Sequence, residues 1–164
     1  MIHIFTTGGS IDKTYVMSAS EFLVGPPAID ALLKEANIGL LYHITSLMRK
    51  DSLELTDEDR AEIVRQVSAS PHPHILITHG TDTMALTAKA LINVPNKTII
   101  LTGAMHPAAF KNSDAAFNVG FALASVQVLP HGVYLAMNGR LFAGGMAVKN
   151  MEKAQFEAMN KPDL

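Results

Sequence analysis

Ile75-Leu76-Ile77-Thr78-His79-Gly80-Thr81-Asp82-Thr83-Met84-Ala85 is the stretch from which the fold is read. A short apolar run stops at His79-Gly80, small hydroxyl and acidic residues follow, and a helical pattern sets in by Ala85. An apolar run that passes at once into glycine and capping residues reads as a buried strand feeding a helix N-terminus. Two further stretches have the same design. Met1-Ile2-His3-Ile4-Phe5-Thr6 runs into Thr7-Gly8-Gly9-Ser10-Ile11, and Thr98-Ile99-Ile100-Leu101-Thr102 runs into Gly103-Ala104-Met105-His106-Pro107. In an open parallel sheet the carboxyl ends of the strands share one edge, so these three loops are expected to meet in one crevice.

The rest of the chain fits around them. Ala28–Ala36 has apolar residues at helical spacing and ends before Asn37 and Gly39; a strand is expected near 40–47, with Arg49-Lys50-Asp51-Ser52 at its end. Thr56 followed by three acidic residues is an N-cap, and Ala61, Ile63, Val64 and Val67 form the expected buried stripe of the next helix. A helix is expected from about Met84 to Ile92, a strand at about 97–102, and a long apolar helix capped by Asn112-Ser113-Asp114 through about Leu129. Gly132–Met137 reads as a fifth strand, Asn138–Gly145 as a glycine-bearing connection, and 147–156 as a tail with a short helix. Residues 12–25 show no sustained period and read either as a mobile lid with Tyr15 reaching inward or as a surface loop on which Tyr15 merely packs. Strands alternating with helices give an α/β fold: a doubly wound, flavodoxin-like, three-layer domain with a mainly parallel sheet of about five strands. At 164 residues the chain is expected to be one domain, 1–164.

Composition removes several classes of function. With 48% hydrophobic and 17% charged residues the chain is globular, and a net charge of −2 offers no electrostatic case for nucleic acid. No apolar run approaches a membrane span and no leader peptide is visible, so a soluble, cytoplasmic protein is expected. The absence of cysteine excludes a thiolate nucleophile and thiolate-bound zinc. The seven histidines are scattered, with no His pair at metal-ligand spacing on a helix, so no metal is expected. Neither a dinucleotide-binding glycine fingerprint nor a phosphate loop is present.

What remains is hydroxyl chemistry at strand ends. Ser10, Ser52, Thr81 and Asp82 come from three such ends and Lys149 lies beyond a fourth. A hydroxyl is a weak nucleophile until a neighbour takes its proton, and Lys149 with Asp82 could do so for Thr81. Gly8-Gly9 is either a backbone nest for a developing oxyanion or an ordinary tight turn. Asp82 and Thr81 are equally the residue types of a helix cap, and a lysine on a charged tail is usually solvated. On residues alone the reading ends at a small-molecule site, with acyl transfer as one chemistry it could host.

The words themselves carry more. Thr7-Gly8-Gly9-Ser10-Ile11 resembles the first signature of the bacterial-type L-asparaginase/glutaminase family, His79-Gly80-Thr81-Asp82-Thr83-Met84 matches its second, and Gly103-Ala104-Met105-His106-Pro107 is similar to the segment that follows. The resemblance implies that Ser10 replaces the first catalytic threonine, the acyl acceptor of the usual scheme, assisted by Tyr15. It implies that Thr81, Asp82 and Lys149 form the second catalytic group. Ser52 then grips the substrate α-carboxylate, Asp82 binds its α-ammonium group, and Gly9, Asp51, Gly80, Thr81 and Ala104 complete the substrate contacts. The reaction implied is hydrolysis of L-asparagine to L-aspartate and ammonia through an acyl-enzyme, without a cofactor. Family members of ordinary length have a second, C-terminal domain, so the chain resembles a short single-domain branch with a more open site and weaker affinity for asparagine, expected to pair as a homodimer or dimer of dimers. A non-catalytic amino-acid-binding or partner module of the same fold, and an amidase for another ω-amide, are the alternative readings.

Overall fold

The computed structural model describes residues 1–159. In chain order its elements are β1 (Ile2–Gly8), β2 (Lys13–Val16), β3 (Glu21–Val24), α1 (Ile29–Glu35), β4 (Tyr42–Lys50), α2 (Asp57–Ala69), β5 (His74–Thr78), α3 (Met84–Leu91), β6 (Thr98–Thr102), α4 (Ala115–Val128), β7 (Gly132–Met137), β8 (Arg140–Ala143), β9 (Ala147–Asn150) and β10 (Gln155–Ala158), with short 3-10 turns at Ser10–Asp12 and Ser52–Glu54.

Six strands form the central sheet in the order β4-β1-β5-β6-β7-β8. The first five are parallel, so the order reverses between β4 and β5 on either side of β1. That reversal is the switch point at which doubly wound sheets open a crevice beyond their strand ends. Alternating side chains on buried strands supply two cores. Phe5, Ile75, Ile77, Ile99, Leu101 and Leu135 face α2 and α3, whereas Ile4, Leu76, Ile100 and Ala136 face α1 and α4. The three layers and the parallel sheet are those expected from the sequence.

The differences lie at the edges. The sheet has a sixth strand, because Asn138 and Gly139 take φ values of 54° and 70° and turn β7 back into antiparallel β8. Asn-Gly with both residues at positive φ is the preferred two-residue hairpin turn, so this strand is encoded where only a glycine-bearing connection was expected. The expected short helix in the tail is instead the antiparallel hairpin β9–β10. Residues 12–25 form a second hairpin, β2–β3, rather than a patternless loop. In α2 the stripe is shifted: Ile63 and Val67 are buried, Val64 is half-buried, Ala61 faces solvent, and Arg60 is buried, its guanidinium donating to the Leu55 carbonyl at 3.2 Å. The start of α4 is capped by Ser113, whose Oγ accepts the Ala115 N–H at 3.0 Å. Asp114 faces away from that task and accepts the N–H groups of Met105 and His106 at 2.9 and 3.0 Å, bracing the loop after β6. Among the described residues no helix is long and apolar enough to cross a membrane.

Candidate active site

The loops after β1, β4, β5 and β6 meet because glycine lets their backbones touch. A Cβ on Gly9 would collide with the backbone of Gly80, one on Gly80 would lie 2.6 Å from Ser52 Cβ, and one on Gly103 would collide with the His79 carbonyl oxygen. Each contact is closer than any Cβ tolerates, so Gly9, Gly80 and Gly103 are required by packing between loops. Of the two readings of Gly8-Gly9, the tight turn fits the Gly9 N–H, which donates to the Lys50 carbonyl at 2.9 Å and ties the loop to β4. Gly9 serves the tight approach to Gly80, and Gly8 a tight approach to the Lys50 backbone.

Ser52 is buried in the same junction. Its Oγ accepts the Thr83 N–H at 3.4 Å and its carbonyl accepts the Thr83 hydroxyl at 2.7 Å, so the turn after β4 is clamped to the turn before α3. Beside it, Asp51 accepts the Lys13 ammonium at 2.7 Å, and that bond, with a further contribution from Lys149, holds its carboxyl below the usual carboxylate range. Ala104 is buried next to Gly103, whose carbonyl accepts the Asn118 amide at 3.0 Å.

Lys149 reaches this junction from β9. Its Nζ donates to Thr81 Oγ1 at 2.8 Å and to Asp82 Oδ1 at 2.7 Å, and its side chain keeps 16% of its accessible surface. The strand is delivered there by its partner. Phe156 lies opposite Lys149 in the hairpin, is 1% exposed and packs into the core beside Phe142, while its N–H donates to the Asn138 side chain at 2.9 Å. Period-two alternation then puts Lys149 on the same face as buried Ala147. The lysine is therefore held on the site and is not a solvated tail residue.

Ser10 opens the 3-10 turn immediately after Gly9, on the same sheet edge. Tyr15 is placed differently from the inward-reaching reading. It is 54% exposed on β2, with its ring edge-on to Phe22 at 5.4 Å, and Phe22 in turn meets Phe110 at 5.3 Å. The structure thus assembles Thr81, Asp82 and Lys149 with Gly9, Gly80, Ser52 and Asp51, and leaves Tyr15 on the hairpin surface.

One residue of the junction has no counterpart in the expected site. His79 is fully buried, and both of its ring nitrogens are bonded, to the Gly80 carbonyl and the Thr87 hydroxyl, each at 2.7 Å. A histidine between an apolar strand and a glycine is the signal the sequence offers, and its spacing alone does not separate a bracing ring from any other.

A family model described as "Asparaginase, N-terminal" matches residues 1–164. The chain is 32% identical over 146 residues to an L-asparaginase of Thermococcus kodakarensis, a match covering 82% of this chain and 44% of that protein. The solved structure of the thermostable L-asparaginase from the same organism superposes with a TM-score of 0.84 at 29% identity, over 99% of this chain and 52% of the other. L-asparaginase 1 of Escherichia coli (strain K12) is 35% identical over 130 residues, which is 76% of this chain and 38% of that protein. A glutamyl-tRNA(Gln) amidotransferase component from Methanococcus maripaludis is 31% identical over 150 residues, covering 84% of this chain and 35% of the relative. The chain thus spans about half the length of the relatives it matches, or less.

Proposed function

The chain belongs to the asparaginase family, and on that premise we propose that it is an amidohydrolase converting L-asparagine to L-aspartate and ammonia. The observation that carries the proposal is the Lys149 ammonium bonded at once to Thr81 Oγ1 and Asp82 Oδ1. A hydroxyl oxygen next to an ammonium loses its proton more readily than one in water, since the cation stabilises the alkoxide that forms, and Asp82 fixes the ammonium in place.

In this reading Ser10 Oγ attacks the side-chain amide carbon, its proton passes to the departing nitrogen, and ammonia leaves as the C–N bond breaks. The aspartyl ester on Ser10 is then cut by water, which supplies the hydroxyl of the product carboxylate and returns a proton to Ser10. Thr81, held by Lys149, orients that water, and its proton passes to Ser10 Oγ as the ester C–O bond breaks. Ser52 and Asp82 receive the α-carboxylate and α-ammonium groups of the substrate, and Gly9, Asp51, Gly80 and Ala104 shape the walls. The exposed Tyr15 on hairpin β2–β3 swings toward Ser10 as the hairpin closes over substrate.

Ammonia release from asparagine by the purified chain, beside Ser10→Ala and Thr81→Ala, tests the proposal. Activity lost in both variants with folding retained supports it, and mass spectrometry of a quenched reaction identifies the acylated hydroxyl. A chain without activity whose melting temperature asparagine nonetheless raises would be a binding module instead. A second amide substrate is favoured by one relative, which is named a glutamyl-tRNA(Gln) amidotransferase subunit; release of ammonia from glutamine or other ω-amides ahead of asparagine would select that reading.

We further propose that the chain is cytoplasmic and pairs as a homodimer or dimer of dimers. Helix α4 carries no charged residue, and its outward face presents Phe117 and Val128 at 64% and 79% exposure beside Ala116, Gly120 and Ala124. An apolar helix face of this kind calls for a cover. Sedimentation as a strict monomer would refute the pairing.

A further inference from the structure

Gly80 is the weak point of the turn that carries Thr81. It has no side chain, the space where a Cβ would stand is filled by Ser52, and its backbone is free of the torsional limits that bind other residues. Something must set its peptide plane if Thr81 Oγ1 is to stay within 2.8 Å of Lys149. The carbonyl of Gly80 receives one hydrogen bond that can do this, from His79 Nδ1 at 2.7 Å.

The geometry fixes the state of the imidazole. A carbonyl can only accept, so Nδ1 carries the proton, and Nε2 is then the acceptor of the Thr87 hydroxyl at 2.7 Å. Burial pulls the His79 pKa down to about 4, which keeps the ring neutral and its two nitrogens distinct at neutral pH. Its main chain is held as well, with the N–H donating to the Thr102 carbonyl at 2.9 Å and the carbonyl pressed against Gly103. Thr87 is fully buried on α3, one turn beyond the helix start. A rigid helix is thus linked through one ring to the Gly80 carbonyl. The Gly80 carbonyl and the Thr81 N–H belong to the same planar peptide, so fixing one fixes the other.

We infer that His79 and Thr87 are positioning residues for Thr81: the α3 hydroxyl sets the imidazole, the imidazole sets the Gly80–Thr81 peptide, and the peptide aims Oγ1 at Lys149. The kinetic consequence rests on the amidohydrolase reading above, and the structural consequence rests on geometry alone. An apolar side chain of equal size would fill the cavity but leave both the Gly80 carbonyl and the Thr87 hydroxyl without their partner.

The test uses the whole chain with Thr87→Val, which removes the hydroxyl at almost constant shape, Thr87→Ser, which keeps it, and His79→Asn, which keeps an N–H donor near Nδ1. Thr87→Val is expected to lower kcat on asparagine by about a hundredfold, as loss of reacting geometry does, with KM changed by less than about threefold. Thr87→Ser restores most of the rate and His79→Asn part of it. Kinetics are normalised to folded protein, so a loss that merely tracks the folded fraction, or one confined to KM, overturns the inference. Nitrogen-15 NMR of the unliganded chain gives a readout that needs no activity. The Nδ1–H tautomer in the parent and faster exchange of the Thr81 amide in Thr87→Val are expected; an Nε2–H tautomer, or unchanged exchange, overturns the relay. If the parent releases no ammonia, the amidohydrolase reading fails and these two spectra still decide the relay.

Discussion

Replacing Asp12 by Asn is expected to change how stability varies with pH, by an amount the structure fixes. Asp12 ends the 3-10 turn that begins at Ser10 and is 2% exposed. One carboxylate oxygen accepts the Ala28 N–H at 2.8 Å, while the other has no partner among the described residues. Burial raises the Asp12 pKa from 3.8 to about 6, a rise only partly opposed by the Ala28 N–H and by Arg49. The folded-state value lies above the unfolded one, so the contribution of Asp12 to stability is complete below pH 3.8 and is lost as pH climbs through 6. At about 1.4 kcal/mol per pKa unit the whole loss is about 3 kcal/mol, of which about 2 kcal/mol falls between pH ~4.5 and ~7.5. Asn keeps the acceptor for Ala28 and removes the ionisation. Its amide nitrogen takes the place of the unpartnered oxygen, which lowers stability by about 1–3 kcal/mol at every pH. Urea unfolding across this range should therefore show the parent losing about 2 kcal/mol relative to the variant toward alkaline pH. All other titrating groups are shared by the two proteins and cancel in the difference. Curves that stay parallel would refute the argument, since they would mean that Asp12 ionises as freely in the folded chain as in the unfolded one.

At the opposite end of the sheet His3 acts with the reverse sign. Burial, with repulsion from His43, His72 and Lys97, lowers its pKa from 6.5 to about 4, so its contribution is present above pH 6.5 and lost as pH falls through 4. His3→Gln should flatten the acid limb of the stability profile measured by the same unfolding assay, and an unaltered limb would contradict this. Gly80→Ala must displace Ser52 from contacts of 2.6 and 2.7 Å, and a fall in stability of about 1–3 kcal/mol is expected, read as a lower urea midpoint. Lys149→Met removes the donor to Thr81 and Asp82, and should lower kcat by about a hundredfold or more while costing under about 1 kcal/mol of stability, because the pair is partly solvated. A variant that keeps its rate would remove Lys149 from the site.

Much of the architecture was legible because it is written locally. The runs Ile2–Thr6, Ile75–Thr78 and Thr98–Thr102 are apolar on both faces and stop at glycine, so they read as central parallel strands with functional loops at their ends. The capping box of Thr56 and Asp59 marked the start of α2 within one residue. The hairpins were harder. Strands β2, β3, β9 and β10 are each four residues long, too short to show a period, and gain their conformation from cross-strand partners and from anchors such as Phe156. Arg60 lies outside the apolar stripe that the sequence shows in α2, yet its stem packs inward and its head finds the Leu55 carbonyl.

The sequence by itself determined the strand–loop–helix punctuation, the sheet class and the residue types at the loop tips, because glycine, hydroxyl caps and apolar periodicity act over a few residues. Only the tertiary structure decided which of those tips touch. Lys149 meets Thr81 and Asp82 across 68 and 67 residues of chain because a hairpin is pinned by Phe156 in a core it did not itself create. Gly9 serves close packing rather than an open nest because Lys50 takes its N–H. Asp12 and His79 have shifted proton affinities because burial removes the water that would otherwise solvate their charges, and burial belongs to the assembled fold rather than to any stretch of it.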